Sequence, residues 1–381
     1  MRYAIVTETY PPEINGVALT VQALEDGLRA RGHDVLVARP RQDACEPRPL
    51  ELLVRGLGLP RYPGLRFGLP AARALLAAWQ AAPPDAVYIA TEGPLGWSAM
   101  RAARHLGIPV ATGFHTRYDQ YMRSYGLPLL QPVAMHWMRR FHNQGQATLV
   151  PTQELQDFLR DAGFANPVRL SRAVDTRLFH PARRDQATRD SWGVGADALA
   201  VIHVGRLAPE KNLALAVRAF RTLQATRPDA RFVLVGDGPA RLQLARDNPD
   251  FIFCGIRRDE DLARHFASAD IFLFPSRTET FGNVTLEAMA SGIATIAFDR
   301  GAAREAIRDG VHGAAVSDGD EDAFVSACVR LASEPVLRGG MAMAARQAVL
   351  RLGPEQVAAD FDQLLQALGG TEMPDVALAR A

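Results

Sequence analysis

The feature that most constrains the fold of this chain is an alternation that occurs twice. Short β-branched or aliphatic runs take turns with longer helical stretches, and glycine or proline stands at the joints. Runs of a few consecutive apolar residues suit strands buried on both faces, the condition of a parallel sheet covered by helices. In the first half such runs fall at residues 4–7, 35–38, 87–90, 109–113 and 148–150, and a helical pattern spans 17–30 before Gly32. In the second half they fall at 200–204, 232–235, 251–253, 271–274 and 294–297. Helical patterns there lie near 211–227, 239–247, 259–268, 283–291, 302–309, 321–333 and 335–350. Each series predicts an α/β unit with a doubly wound parallel sheet, and 381 residues suffice for two such units.

The division follows from where the pattern fails. Residues 1–170 carry the first series and 197–352 the second, while 171–196 is charged and weakly apolar, which predicts a linker. A last helical pattern at 353–370 is expected to return to the first domain, and 371–381 to form a flexible tail. Residues 44–70, rich in Pro, Gly and Arg, read as a long irregular excursion.

Charge excludes some partners. A formal net charge of +1 argues against nucleic acid, whose binders carry a clear basic excess. The cysteines (Cys45, Cys254 and Cys328) are far apart and show neither a zinc spacing nor a disulfide framework, so a reducing cytoplasm is expected. The opening apolar run ends at Glu8, too soon for a signal peptide, and no stretch approaches the roughly 18–20 apolar residues of a membrane span. One further count matters: 42 of the 43 basic residues are arginine, and the single lysine is Lys211. A lysine kept against such a bias marks a place that needs a compact ammonium rather than a planar guanidinium.

Three segments carry candidate chemistry. After the first strand, Glu8-Thr9-Tyr10-Pro11-Pro12-Glu13-Ile14-Asn15-Gly16-Val17 brings Gly16 to a helix start, where free N–H groups attract a phosphate; an ordinary βα turn is the alternative. The three spaced glycines of a dinucleotide site are absent, so no nicotinamide cofactor is expected. In the second half, His203-Val204-Gly205-Arg206-Leu207-Ala208-Pro209-Glu210-Lys211-Asn212 sets two cations just past a strand, where they can stabilise charge on a departing diphosphate; a loop ion pair of Lys211 with Glu210 is the alternative. The segment 276–292 places Glu279 in a strand-end loop and Glu287 a turn or more into the following helix, with Phe281-Gly282-Asn283 offering backbone N–H groups between them. Asp318 and Asp320 look like a metal pair but more naturally open an acidic helix start, and no metal site is expected.

These segments resemble retaining glycosyltransferases of family 4. The glutamates separated by seven residues in 276–292 carry the likeness, with Gly205-Arg206…Glu210-Lys211, Gly236-Asp237-Gly238-Pro239, Gly301…Glu305…Asp309-Gly310…Gly313, Pro11-Pro12-Glu13-Ile14-Asn15-Gly16-Val17 and Phe114-His115-Thr116-Arg117-Tyr118. The family pattern has two adjacent glycines where this chain has Asn15-Gly16. The resemblance implies a GT-B fold, two Rossmann-like domains with parallel sheets facing a central cleft, the first for the acceptor and the second for the nucleotide-sugar donor. It implies that Arg206 and Lys211 hold the donor diphosphate and that Gly16 adds a backbone contact to it. Glu287 would bind the ribose, Glu279 the sugar, and Phe281, Gly282 and Asn283 would cradle sugar and phosphate. His115 would face the reacting centre, with a core-edge histidine as the other reading. Gly238 belongs to the same donor site, Arg257 lines the base pocket, and Asp119 and Arg172 are candidates for acceptor contacts.

The expected activity is transfer of a hexose from a GDP-mannose-like or UDP-sugar to a hydroxyl, with retention, without a metal and without a cofactor beyond the nucleotide sugar. The likeness to lipid-directed mannosyl- and sulfoquinovosyl-type enzymes implies a membrane glycolipid or lipid-linked acceptor. A soluble or polysaccharide acceptor and a sugar-nucleotide-binding protein without transfer activity are the alternatives. Residues 101–142 hold six arginines, four histidines and the one acid Asp119, which suits either peripheral contact with an anionic membrane on its cytoplasmic face or a helix whose arginines meet substrate phosphates.

Overall fold

The computed structural model describes residues 1–13, 15–42, 48–58, 66–115, 131–195, 197–277, 279 and 281–368. The chain divides into two compact units, Met1–Ala173 with Pro354–Ala381 and Val174–Gly353.

The first unit opens with β1 (Arg2–Val6), α1 (Gly16–Ala30), β2 (Asp34–Pro40) and β3 (Glu51–Val54). The short strands β4 (Gly56–Gly58) and β5 (Arg66–Gly68) form an antiparallel pair before α2 (Ala72–Ala81). Then come β6 (Ala86–Ile89), α3 (Pro94–Leu106), β7 (Val110–Gly113), α4 (Gln131–His142), β8 (Ala147–Val150), α5 (Gln153–Asp161) and β9 (Pro167–Arg169). The seven-stranded sheet has the order β3-β2-β1-β6-β7-β8-β9, with every pairing parallel. Its central strands are buried along their length, as the unbroken apolar runs require. The stretch 44–70 departs from the expected irregular excursion: Glu51–Val54 joins the sheet edge and β4 pairs with β5.

The second unit runs α6 (Gln186–Ser191), β10 (Ala200–Val204), α7 (Leu213–Thr226), β11 (Arg231–Val235), α8 (Arg241–Asp247), β12 (Ile252–Gly255), α9 (Asp259–Ser268) and β13 (Ile271–Phe274). It continues through α10 (Asn283–Ala290), β14 (Ala294–Phe298), α11 (Gly301–Ala306), β15 (Ala314–Val316), α12 (Glu321–Ser333) and α13 (Pro335–Val349). The sheet order is β12-β11-β10-β13-β14-β15, again all parallel. Separate apolar clusters cover its two faces, one holding Ile202, Val233, Phe272 and Met289, the other Val201, Phe232, Leu273 and Phe324.

Most of the stretch expected to link the units belongs to the second one. Val174, Phe179, Trp192 and Val194 enter its core. The buried Arg189 ties α6 down, donating to the carbonyls of Ser268, Gly195 and Ala198 and pairing with Asp270. A charged residue in the sequence is here a buried tie, its guanidinium satisfied by backbone oxygens.

The last helix, α14 (Pro354–Ala367), packs in the first unit. Val357, Phe361, Leu364 and Leu365 join Tyr3, Leu24, Leu28 and Tyr88 in one cluster. Gly27 leaves room for Ala358, whose Cβ lies 2.3 Å from where a side chain at 27 would begin. A polar clamp adds to this: Asp362 accepts from Tyr3 Oη (2.8 Å) and Arg31 Nε (2.9 Å), with His33 Nε2 at 3.0 Å.

Candidate active site

In each unit the strand order reverses once, and the carboxyl ends of the strands on either side of that point form the natural ligand crevice of an open α/β sheet. In the second unit the reversal lies between β10 and β13. The loop after β10 folds back along the end of β11: Gly205 N–H donates to Val235 O and Leu207 N–H to Asp237 O. A 3₁₀ turn at Pro209–Lys211 then delivers Lys211. From the other side, the loop after β13 brings Ser276 and Glu279. Lys211 Nζ donates to Glu279 Oε1, and Ser276 Oγ donates to the same oxygen at 2.8 Å. The ammonium also stands 5.7 Å from the ring centre of Phe274, a cation–π distance. The alternative loop pair is not what holds the lysine here, and Glu210 engages Arg206 at 3.4 Å.

Beneath this pair lies His203, the one polar side chain of an otherwise apolar strand. Its ring stacks on Phe274 and its Nδ1–H donates to Leu273 O (3.0 Å), so Nε2 is the lone-pair nitrogen, and it has no partner among the described residues. Burial pushes its pKa down to about 4, which leaves the ring neutral beside the ammonium.

Gly282 starts α10 with φ +90°, a conformation that L side chains rarely adopt, and a Cβ there would lie 3.2 Å from Phe274 and 3.5 Å from Glu279. Glycine thus lets the loop turn tightly under the Glu279 side chain. The carbonyl of Phe281 accepts from Ala302 N–H at 2.7 Å, which fixes the loop to α11. In the first turn of α10 Thr285 N–H donates to Gly282 O at 3.0 Å, and the N–H groups ahead of it, at Asn283 and Val284, stand where a helix start favours an anion. Glu287 follows one turn later. Among the described residues its buried Oε2 has no partner, and burial pushes the carboxyl up to about 7. A buried acceptor left open is costly, and a ligand hydroxyl would satisfy it.

The remaining second-unit candidates are less central. Gly238 abuts the β10 loop, where a Cβ would meet Leu207 O at 2.4 Å. Arg206 is exposed. Arg257 lies past β12, two strands from β10, donating to Cys254 O and Asp261. Neither aspartate of the suspected metal pair is free. Asp320 caps α12 through Ala323 N–H, and Asp318 lies 3.7 Å from both Arg277 and Arg300. Among the described residues no three His, Cys, Asp or Glu side chains converge as a metal-holding group.

In the first unit, Gly16 begins α1 as expected of a helix start, but Asn15 changes what that start offers. Its Oδ1 accepts from Val17 N–H (3.1 Å) and Ala18 N–H (2.9 Å), taking two donors that a phosphate would use. His115 lies two residues past β7. Arg172 Nη2 donates to its Nδ1 at 2.6 Å, so Nε2 carries the proton and donates to Tyr88 Oη at 2.8 Å. Burial, with Arg172 and His142 nearby, holds the His115 pKa well below its ordinary value. Asp119, Cys45 and Thr116 to Tyr118 lie outside the described residues. Sequence reasoning gave no role to Tyr88 or Ser276. Tyr88 had no signal, since a tyrosine in a strand reads as core. His203, a polar residue inside an apolar strand, was the signal available.

A two-unit α/β chain of this kind, with parallel sheets and a charged pair at the second switch point, has the fold of the GT-B glycosyltransferases. The model of the family "Glycosyltransferase Family 4" matches residues 14–178, and that of "Glycosyl transferases group 1" matches 198–334. A GDP-mannose-dependent alpha-mannosyltransferase of Mycolicibacterium smegmatis is 35% identical over 92% of this chain and 93% of its own. A sulfoquinovosyl transferase of Arabidopsis thaliana is 28% identical over 91% of this chain and 69% of its own. Among solved structures, Anabaena Alr3699/HepE in complex with UDP superposes with a TM-score of 0.78 over 96% of this chain and all of that one, at 18% identity, a likeness of fold. The chain belongs to glycosyltransferase family 4 and is a hexosyltransferase.

Proposed function

We propose that the protein moves a hexose from a nucleotide-diphosphate sugar, GDP-mannose or a related UDP-sugar, to a hydroxyl of a membrane glycolipid or lipid-linked acceptor, with retention of the α configuration. The observation that carries this reading is the meeting of Lys211 and Glu279 at the switch point of the second sheet. An ammonium suited to a diphosphate stands there beside a carboxylate suited to sugar hydroxyls, with an open helix start alongside. The GDP-mannose-dependent relative supports the donor class, and an alpha-monoglucosyldiacylglycerol synthase of Acholeplasma laidlawii, 29% identical over 78% of this chain, supports a lipid acceptor.

In this reading Arg206 and Lys211 offset charge on the diphosphate, Gly16 and Gly238 contribute backbone contacts, and Glu287 takes the ribose hydroxyls. Glu279 orients the sugar over the backbone of Phe281, Gly282 and Asn283, Arg257 lines the base pocket, and His115 faces the sugar. Retention without an enzymatic nucleophile follows a front-face course. The C1–oxygen bond to the diphosphate breaks while the acceptor oxygen bonds to C1 on the same face, and the departing phosphate oxygen takes the acceptor's proton. The cationic side chains and helix start supply the charge stabilisation, so the reaction runs without a metal.

For a lipid acceptor, α4 exposes Val133, Trp137 and Arg140, and α3 exposes Arg101, Arg104 and His105, while Trp137 rests on Trp97. A basic face with an exposed indole suits peripheral contact with an anionic membrane, on the cytoplasmic side. Among the described residues no helix is long and apolar enough to cross a membrane.

The test is ligand-induced thermal stabilisation by UDP, GDP, ADP and their sugars, with Lys211→Ala as control. A ligand of the native state raises the melting temperature with its saturation. A shift with one base, lost in the control, is expected, and no shift with any nucleotide would sink the donor-site reading.

A further inference from the structure

Among its described residues, the first unit holds a cation without a counter-charge. Arg172 lies three residues past β9, and His115 lies two past β7, so both stand at the carboxyl-terminal edge of the sheet, where ligands of such folds bind. The Arg172 guanidinium is half-buried, yet among the described residues it makes no ion pair, and its one hydrogen bond goes to His115 Nδ1. A guanidinium has five N–H donors in a fixed fork, which leaves most of its capacity unused.

Among the described residues, none of its surroundings supplies negative charge. His115 is neutral, held in its Nε2–H tautomer by Tyr88. His142, buried nearby and bound to Thr112 Oγ1 at 2.8 Å, is neutral too. The electrostatic neighbour that bears on Arg172 is the Tyr88 phenol, itself held protonated by burial. Burial lowers the Arg172 pKa, the direction taken by a desolvated cation with no carboxylate beside it. A partly desolvated charge left alone is unfavourable, and an incoming oxyanion removes the deficit. His115 orients the fork in the meantime.

We propose that Arg172 binds a carboxylate or phosphate carried by the acceptor, so that the enzyme selects acceptors with an acidic group. This rests on the reading that a sugar acceptor is held by the first unit. The source of the oxyanion is either a uronic-acid-type sugar carboxylate or a lipid-headgroup phosphate, and matched probes separate them.

The experiment titrates the full chain calorimetrically with a hexuronate against its parent hexose, and with glycerol 3-phosphate against glycerol. In the native chain the acidic member of one pair binds at least about tenfold tighter than its neutral counterpart, as expected for a charge-assisted contact. The pair that shows the preference names the source. Arg172→Gln abolishes the preference and Arg172→Lys keeps part of it, while UDP and GDP affinities stay within about twofold in both, which also reports that the variants are folded. An absent preference in the native chain overturns the proposal, as does one that survives Arg172→Gln. Nucleotide affinity falling in step with the acid preference overturns it as well, because the guanidinium would then serve the donor diphosphate. Failure of the native chain to bind any nucleotide is read in that separate arm and counts against the transferase reading alone.

Discussion

Lys211 and Glu279 neutralise each other across the point where the second sheet reverses its strand order. In the proposed donor complex they part, the ammonium toward the diphosphate and the carboxylate toward the sugar. Binding of a nucleoside diphosphate without its sugar therefore works against this pair. Glu279→Gln should bind the free diphosphate about three- to tenfold tighter, since the lysine is released, yet transfer sugar about a hundredfold more slowly. Lys211→Ala should weaken the nucleotide by about tenfold or more. Calorimetry and a donor-turnover assay read the two effects separately. Equal weakening of nucleotide binding in both variants would contradict the pairing argument.

Glu287 sets stability against binding. Burial raises its folded-state pKa to about 7 from an ordinary value of 4.5. The carboxyl therefore favours the fold fully below about pH 4.5, and that contribution is lost as pH rises through 7. Glu287→Gln should melt higher than the native chain at pH 8, by the equivalent of about 3 kcal/mol, and level with it near pH 4. The same variant should lose nucleotide affinity. Thermal melts at the two pH values, with and without nucleotide, test both halves.

Asn15 already satisfies two N–H groups at the start of α1. Asn15→Gly should cost only a few tenths of a kcal/mol as a cap. If a diphosphate meets this helix start in the working enzyme, the freed donors should tighten its binding several-fold. Unchanged affinity would remove Gly16 from the donor site.

Asp362 is the anchor of the last helix. Burial works against its charge, but hydrogen bonds from His33, Gln366, Arg31 and Tyr3 outweigh it and hold the pKa well below the usual carboxylate range. Its contribution is thus present above the ordinary pKa of 3.8 and lost as pH falls below that. Asp362→Ala should destabilise the first unit by about 2 kcal/mol at neutral pH, since the buried Tyr3 hydroxyl loses its acceptor. Urea unfolding at pH 7 and pH 3 should show the gap narrowing in acid.

Gly113 keeps His115 in place. A Cβ there would stand 2.3 Å from Tyr88 Oη and 2.5 Å from His115 Nε2, and the Tyr88 ring is fully buried. Gly113→Ala should break the His115–Tyr88 bond and lower transfer at least tenfold with nucleotide affinity unchanged. A parallel loss of nucleotide binding would show that the damage spreads beyond the histidine.

The sequence showed the sheets where burial is symmetric. Strands such as β10 and β13, apolar at nearly every position, announced themselves, whereas β9 and β15 are three-residue edge strands too short for any periodicity. Likewise β3 to β5 hid in a segment rich in glycine and proline. The stretch 171–196 read as a linker because its apolar residues are scattered, and only the folded chain shows Phe179 and Trp192 entering one core. At the site, Lys211 and Glu279 were visible as types in the right loops. Their contact, and that of Tyr88 with His115, depends on which strands are neighbours, which composition does not encode.

The return of α14 to the first unit makes the second unit, residues 174–353, an insert in the first unit's sequence. Translation therefore completes the second unit before the first can close. Until the last helix leaves the ribosome, the apolar face formed by Tyr3, Leu24, Leu28 and Tyr88 stays uncovered. A chain that stops early, anywhere in the insert or just past it, exposes that face and is marked for removal by chaperones and proteases. The final helix thus covers the apolar face of the first unit only after the whole of the second unit has been made.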